Sequence, residues 1–285
     1  MTTASKARFF ETADGLKLFY RDFGPEADGT PVVCLPGLTR NSRDFDEIAE
    51  RLSSRRRVLT VDFRGRGHSD PDPDWRNYHP GTYVADVQAL LDALGVETVI
   101  VLGTSLGGVC GMVMAAQRPE RVAGLILNDV GPEIHPPGFE RVRAYTGRAA
   151  PVANWDEALA QAKETYGESV PGLGDEEFMK LARNTYREDE AGVPRLDLDV
   201  EIGRAVRELP GPGGDPWQLF AALADKPVTV LWGVLSDILS REIVEKMQAA
   251  KPDLEVVPVP NRGHVPLLDE PECLTAIDAF LDRVR

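Results

Sequence analysis

Short apolar runs alternate with longer segments of helical period through the first 130 residues, and the alternation resumes after Pro227. Strands buried on both faces read as such continuous apolar runs, and a helix after each one supplies the crossover to a parallel neighbour. The spacing predicts strands at Pro31–Leu35, Val58–Val61, Thr98–Leu102, Ala123–Asn128, Val228–Trp232 and Leu254–Val259. It predicts helices near Asp44–Leu52, Thr82–Leu94, Leu106–Ala116, Arg241–Ala250 and Pro271–Arg285. An opening hairpin pairs Arg8–Glu11 with Leu16–Phe23 across Asp14-Gly15, a dipeptide suited to a tight turn. The expected class is therefore α/β, a mostly parallel sheet with helices on both faces.

After Asp129 the texture changes. Gly131, Pro132, Pro136, Pro137 and Gly138 break the alternation, and amphipathic helical stretches follow with no strand of comparable strength until Pro227. Residues 131–222 are accordingly expected to form a helical insertion in a discontinuous core domain of residues 1–130 and 223–285. The breaker-rich stretch from Leu209 to Pro216 reads as its return linker.

Charge narrows the function. The 285 residues carry 32 Lys plus Arg against 46 Asp plus Glu, a net of −14, so there is no cationic field to collect nucleic acid or an anionic membrane surface. The insertion alone holds 17 acidic and 10 basic residues, which suggests a bias toward neutral or cationic substrates. No run approaches the roughly 18 apolar residues of a membrane-spanning helix, and Met1–Phe10 lacks the apolar centre of a signal peptide, so a cytoplasmic location is expected. Cys34, Cys110 and Cys273 are far apart, show no metal-site or redox spacing, and are expected to be buried thiols.

The chemistry concentrates in Gly103-Thr104-Ser105-Leu106-Gly107, directly after one predicted strand and opening a helix. Flanking glycines permit a cramped turn that exposes a serine hydroxyl above a helix N-terminus. A serine hydroxyl needs a base, preferably a histidine held in one tautomer by a carboxylate. Of the four histidines, His264 lies in the loop after the last strand, at the sheet edge where sites in α/β folds are built. Two carboxylates fit the order serine, acid, histidine. Asp237, after strand Val228–Trp232, is preferred, and Asp129, after strand Ala123–Asn128, is the alternative. Backbone amides for an oxyanion are expected at Leu106, next to the nucleophile, and at Leu38 in the turn Pro36-Gly37-Leu38.

These residues resemble the α/β-hydrolase superfamily, of the kind with a helical cap inserted after strand six. Asp62-Phe63-Arg64-Gly65-Arg66-Gly67-His68-Ser69 is similar to the D-x-R-G-x-G-x-S turn of that group, and the resemblance makes Arg64 and His68 structural. Pro36-Gly37 stands where many relatives have His-Gly. The resemblance implies a serine hydrolase of a small carboxylic ester or lactone that needs no metal or organic cofactor. Hydrolysis of a C–C, thioester or amide bond is the alternative within the fold, and a low-turnover ligand-binding protein the alternative outside catalysis. Ser105 itself argues against dehalogenases and epoxide hydrolases, which carry an aspartate there. The insertion is expected to lie over Ser105 and line its pocket with aromatics, Tyr145 and Trp217 among them, while Arg40 is a candidate either for a substrate carboxylate or for pairing with an acid of the insertion. Oligomeric state is not legible in the sequence.

Overall fold

The computed structural model describes residues 5–25, 27–209 and 215–284. Eight strands form one sheet: β1 (Lys6–Glu11), β2 (Lys17–Phe23), β3 (Val32–Leu35), β4 (Val58–Val61), β5 (Val99–Thr104), β6 (Val122–Asn128), β9 (Val228–Gly233) and β10 (Glu255–Val259), while β7 (Tyr186–Glu188) and β8 (Pro194–Leu196) pair separately. Their spatial order is β1-β2-β4-β3-β5-β6-β9-β10. The first hairpin is antiparallel and β2 joins β4 antiparallel, whereas every pairing from β4 to β10 is parallel.

The reason for the continuous apolar runs is visible at β5. Val99 and Val101 enter the core on one face, and Ile100 and Leu102 enter the core on the other. The first face is covered by α2 (Pro80–Ala93), α3 (Leu106–Gln117) and α9 (Arg241–Ala250). The second is covered by α1 (Asp46–Leu52) and α10 (Pro271–Arg283), through Ile48, Leu52, Ile277 and Phe280. Helix α2 starts two residues before its expected position, because Pro80 suits the first turn and the ring of His79 accepts the Gly81 amide as a cap. All three cysteines are free and buried, and burial pushes the Cys110 thiol up to about 12.

Between β6 and β9 the described residues form α4 (Pro136–Tyr145), α5 (Trp155–Tyr166), α6 (Asp175–Thr185), the short antiparallel hairpin β7 (Tyr186–Glu188) and β8 (Pro194–Leu196), α7 (Glu201–Glu208) and α8 (Pro216–Ala221). Ala158, Ala162, Ala182 and Tyr186 make a small core of their own. The hairpin was not expected; three-residue strands carry too little alternation to register in the sequence. Residues 210–214, most of the stretch read as a linker, lie outside the described residues. Trp217 and Phe220 meet edge to face at 5.9 Å and join the main core, so α8 packs with the sheet layer rather than over the serine.

The Asp62–Ser69 turn is a buried junction. Asp62 accepts the Ser42 amide at 2.7 Å and the His68 amide at 2.9 Å, while Ser69 accepts from the Phe19 amide at 2.9 Å and donates to the Asp62 carbonyl at 2.6 Å. Arg64, almost fully buried, pairs with Asp14, Asp72 and Asp86. A charge so buried is tolerable only with such partners. His68 lies against Phe19 with ring centres 4.7 Å apart and planes tilted by 37°.

Candidate active site

Strand β5 ends at Thr104 and α3 begins at Leu106, which leaves Ser105 to make the whole turn. Its φ of 49° and ψ of −113° place a non-glycine residue where L side chains are strained. The result is a hydroxyl raised off the sheet edge. Ser105 Oγ lies 2.9 Å from His264 Nε2, and His264 Nδ1 lies 2.8 Å from Asp129 Oδ2. His264 comes from the loop after β10, and Asp129 directly follows β6, the neighbour of β5.

Asp237, the preferred acid in the sequence, is not part of this line. It is half-buried and receives two hydrogen bonds from Arg141 of α4, Nε to Oδ2 at 2.6 Å and Nη2 to Oδ1 at 2.8 Å. Burial alone would raise its carboxyl, but the Arg141 hydrogen bonds and charge hold it below the usual carboxylate range. The loop after β9 instead turns Ser236 inward. Ser236 Oγ accepts the Ile238 amide at 3.1 Å and the Leu239 amide at 2.9 Å, so its remaining proton is directed to Asp129 Oδ2, 2.6 Å away. The Gly233 amide donates to Asp129 Oδ1 at 2.9 Å. Asp129 is completely buried. Burial pushes its carboxyl above the usual range, and the His264, Ser236 and Gly233 hydrogen bonds pull against that rise.

Two backbone amides stand free near the serine. Leu106 opens α3, where the first N–H groups have no helical acceptor, and Leu38 borders the same cavity as Ser105. Neither amide donates to a backbone acceptor among the described residues. The Leu38 peptide is fixed from behind by Arg66, whose buried guanidinium donates to the Leu38 carbonyl at 2.6 Å and to the Arg64 carbonyl at 3.0 Å. Asn128 performs a similar service at the other wall, its Nδ2 donating to Thr104 Oγ1 at 3.2 Å and to the Pro266 carbonyl at 3.0 Å. It thereby bridges the strand carrying the serine to the loop carrying the histidine. Neither residue stands out in the sequence.

Ser105 and His264 open into a cavity of about 210 Å³ whose far wall comes from the insertion, through Val142, Tyr145, Tyr166 and Leu181. Tyr145 is thus at the site, whereas Trp217 does not line it. Arg40 borders the cavity, but four of its five N–H groups are engaged. Nε and Nη2 bind Asp44 at 2.8 and 2.7 Å, and Nη1 binds the Tyr166 hydroxyl at 3.0 Å and Thr185 Oγ1 at 2.5 Å. Lys180 and Arg262, the other cations on this wall, pair with Glu47 and Glu270. A substrate carboxylate paired in a two-pronged manner with Arg40 would have to displace Asp44, so the structure makes Arg40 a partner of Asp44, Tyr166 and Thr185 rather than an open carboxylate site. Among the described residues no three His, Cys, Asp or Glu side chains converge as a metal site would require, and no helix is long and apolar enough to cross a membrane.

A hydroxyl, an imidazole and a buried carboxylate in hydrogen-bonded line at the edge of a parallel sheet define a class of enzyme. Residues 30–271 match the family described as the alpha/beta hydrolase fold, and the chain belongs to that family. It is 34% identical over 271 residues to a 3-hydroxybutyrate-oligomer hydrolase of Cupriavidus necator, covering 93% of this chain and 92% of that one. It is 26% identical to a 2-(acetamidomethylene)succinate hydrolase of Mesorhizobium japonicum, covering 90% of each. Among solved structures, an alpha/beta hydrolase of Novosphingobium aromaticivorans superposes with a TM-score of 0.93 at 40% identity over the full length of both chains.

Proposed function

We propose that this hydrolase cleaves a small carboxylic ester or lactone through an acyl-enzyme on Ser105, with His264 as base and Asp129 as the acid that orients it. The observation that carries the reading is the unbroken hydrogen-bonded line from Ser105 through His264 to Asp129 at the floor of a cavity. In the first half-reaction His264 Nε2 takes the Ser105 proton as Oγ adds to the carbonyl carbon, and the Leu38 and Leu106 amides receive the developing oxyanion. The imidazolium is steadied by Asp129 and returns its proton to the departing alkoxide. Water, deprotonated by the same nitrogen, then releases the acid and restores the serine. Residues 131–222 serve as the cap that closes the carbonyl site from bulk water, with Tyr145 and Tyr166 toward the substrate. The 3-hydroxybutyrate-oligomer hydrolase of C. necator supports an ester as the bond and a small hydroxy-acid ester as the substrate.

The test is covalent labelling joined to turnover. Incubation with a fluorophosphonate is expected to add one adduct, located at Ser105 by peptide mass, and to abolish hydrolysis of p-nitrophenyl butyrate. A folded sample that hydrolyses the ester yet carries no adduct on Ser105 would sink the proposal.

Ser236 gives a second expected result. Ser236→Ala removes one donor from Asp129 and strands two amides, so kcat should fall by about tenfold with a stability loss of about 1–2 kcal/mol. Losing a hydrogen bond to the charged carboxylate raises its pKa, so activity that needs ionised Asp129 should fail at higher pH than in the native enzyme. A pH profile of kcat/KM measures this, and Ser236→Thr should restore the native acid limb. An unmoved acid limb in the alanine variant would leave Ser236 a purely structural residue.

A further inference from the structure

A second cavity, of about 300 Å³, lies inside the insertion beside the one that opens on Ser105. Thr39, Tyr145 and Tyr166 border both, so the two tyrosine rings stand at the junction between them. An ester confined to the Ser105 cavity would leave this second space unused. Its lining includes the small and apolar residues Ala149, Ala150, Ala162, Leu196 and Leu198.

This space is built rather than slack. The turn after α4 that walls it is tied down, with Thr146 Oγ1 donating to the Val142 carbonyl at 2.7 Å and Arg207 donating to the Thr146 carbonyl at 3.2 Å. Gly147 has φ 69°, and any Cβ there would stand 2.5 Å from the Val200 carbonyl oxygen, so the turn packs closely against the start of α7 and admits no side chain at this position. Across the junction the Tyr166 hydroxyl is held by Arg40.

The polar groups on the walls discriminate among occupants. Gln161 is consumed by the Tyr186 hydroxyl and the Ala150 carbonyl, and Thr185 by Arg40 and the Leu181 carbonyl. The charged wall residues, Arg148 and Glu164, are of opposite sign and give no net preference for an ion. Two hydroxyls have no hydrogen-bond partner shown among the described residues: Thr39 at the junction and Thr165 within the chamber. An uncharged chain that is mainly aliphatic but carries carbonyl oxygens at intervals matches apolar walls punctuated by two donors.

We infer that this chamber binds the far arm of a linear aliphatic oligoester, which passes between Tyr145 and Tyr166 while its scissile carbonyl sits at Ser105. The inference rests on the ester-hydrolase reading and extends it from the bond to the length of the substrate. It is tested with two substrates, p-nitrophenyl acetate, which fills only the Ser105 cavity, and the methyl ester of a linear trimer of a short hydroxy acid. Thr165→Trp fills the chamber and should lower the trimer-to-acetate ratio of kcat/KM by about tenfold or more. Thr165→Val keeps the volume, loses the donor, and should lower the ratio by about threefold. Ala150→Trp blocks the chamber from another wall, should the first variant fail to show a native melting transition. An unchanged ratio in the folded tryptophan variants, an equal loss on both substrates, or a native enzyme that cleaves the acetate but not the trimer overturns the chamber alone. A native enzyme that cleaves neither overturns the ester reading beneath it.

Discussion

Asp129→Asn is expected to lower kcat for ester hydrolysis by about 10³–10⁴-fold, and Asp237→Asn by less than about threefold. The difference follows from which donors each carboxylate meets. Asp129 Oδ1 receives the Gly233 amide, and Oδ2 receives the Ser236 hydroxyl and faces His264 Nδ1. An asparagine there cannot satisfy all three. With its NH₂ toward His264, Nδ1 must become an acceptor, the ring proton moves to Nε2, and that nitrogen can no longer take the serine proton. With its NH₂ toward Gly233, two donors confront each other at a fully buried position, which costs about 1–3 kcal/mol. Asp237 meets only Arg141, both side chains being about a third exposed, and a pair of that kind contributes about 1 kcal/mol or less. Steady-state kinetics on the two variants, matched for melting temperature, decides the matter. A larger loss in Asp237→Asn would return the acid to the loop after β9.

That pair of aspartates also marks where sequence reasoning stops. The strand Val99–Thr104, the turn at Ser105 and the helix from Leu106 are contiguous, so apolar run, glycines and helical period announce one another locally. His264 was legible because few histidines exist and only one follows the last strand. The acid was not, because both candidates lie between Ser105 and His264 in the chain and both follow strands at the same sheet edge. What separates them is the turn of one backbone. The loop after β9 presents Ser236 to the interior and Asp237 to Arg141, and Arg141 lies 96 residues away in sequence. Arg66 and Asn128 escaped for the same reason, since their partners Leu38 and Pro266 come from remote segments and periodicity records no such pairing. Arg40 shows the converse error. Its position beside the oxyanion turn left a ligand contact and an acid of the insertion equally open, but Asp44, four residues further on in the core domain's own chain, holds the guanidinium. Aromatic content likewise could not tell Tyr145, which borders the cavity, from Trp217 of α8, which packs against the main core.

Gly107→Ala is expected to destabilise the protein by about 2–3 kcal/mol and to lower kcat by about tenfold or more. Helix propensity predicts the opposite sign, because alanine is favoured over glycine within a helix by about 1 kcal/mol. Packing overrides it at this position. A Cβ on Gly107 would stand 1.9 Å from the Leu35 carbonyl oxygen and 2.5 Å from its carbon, and both are backbone atoms with no rotamer to yield. The clash can be relieved only by moving α3 away from the end of β3. Leu35 pairs with Gly103 of β5 in the sheet and leads directly into Pro36-Gly37-Leu38, so the two proposed oxyanion amides are carried on the very segments that must separate. Leu106 N–H would move with the helix while Leu38 N–H stayed with the turn that Arg66 holds. The catalytic loss should therefore appear in kcat rather than in KM, as expected when an interaction made mainly in the transition state is weakened. Thermal unfolding and steady-state kinetics on the one variant test both halves. A melting temperature equal to or above that of the native protein would mean that propensity governs the site and that the elbow has room the packing denies.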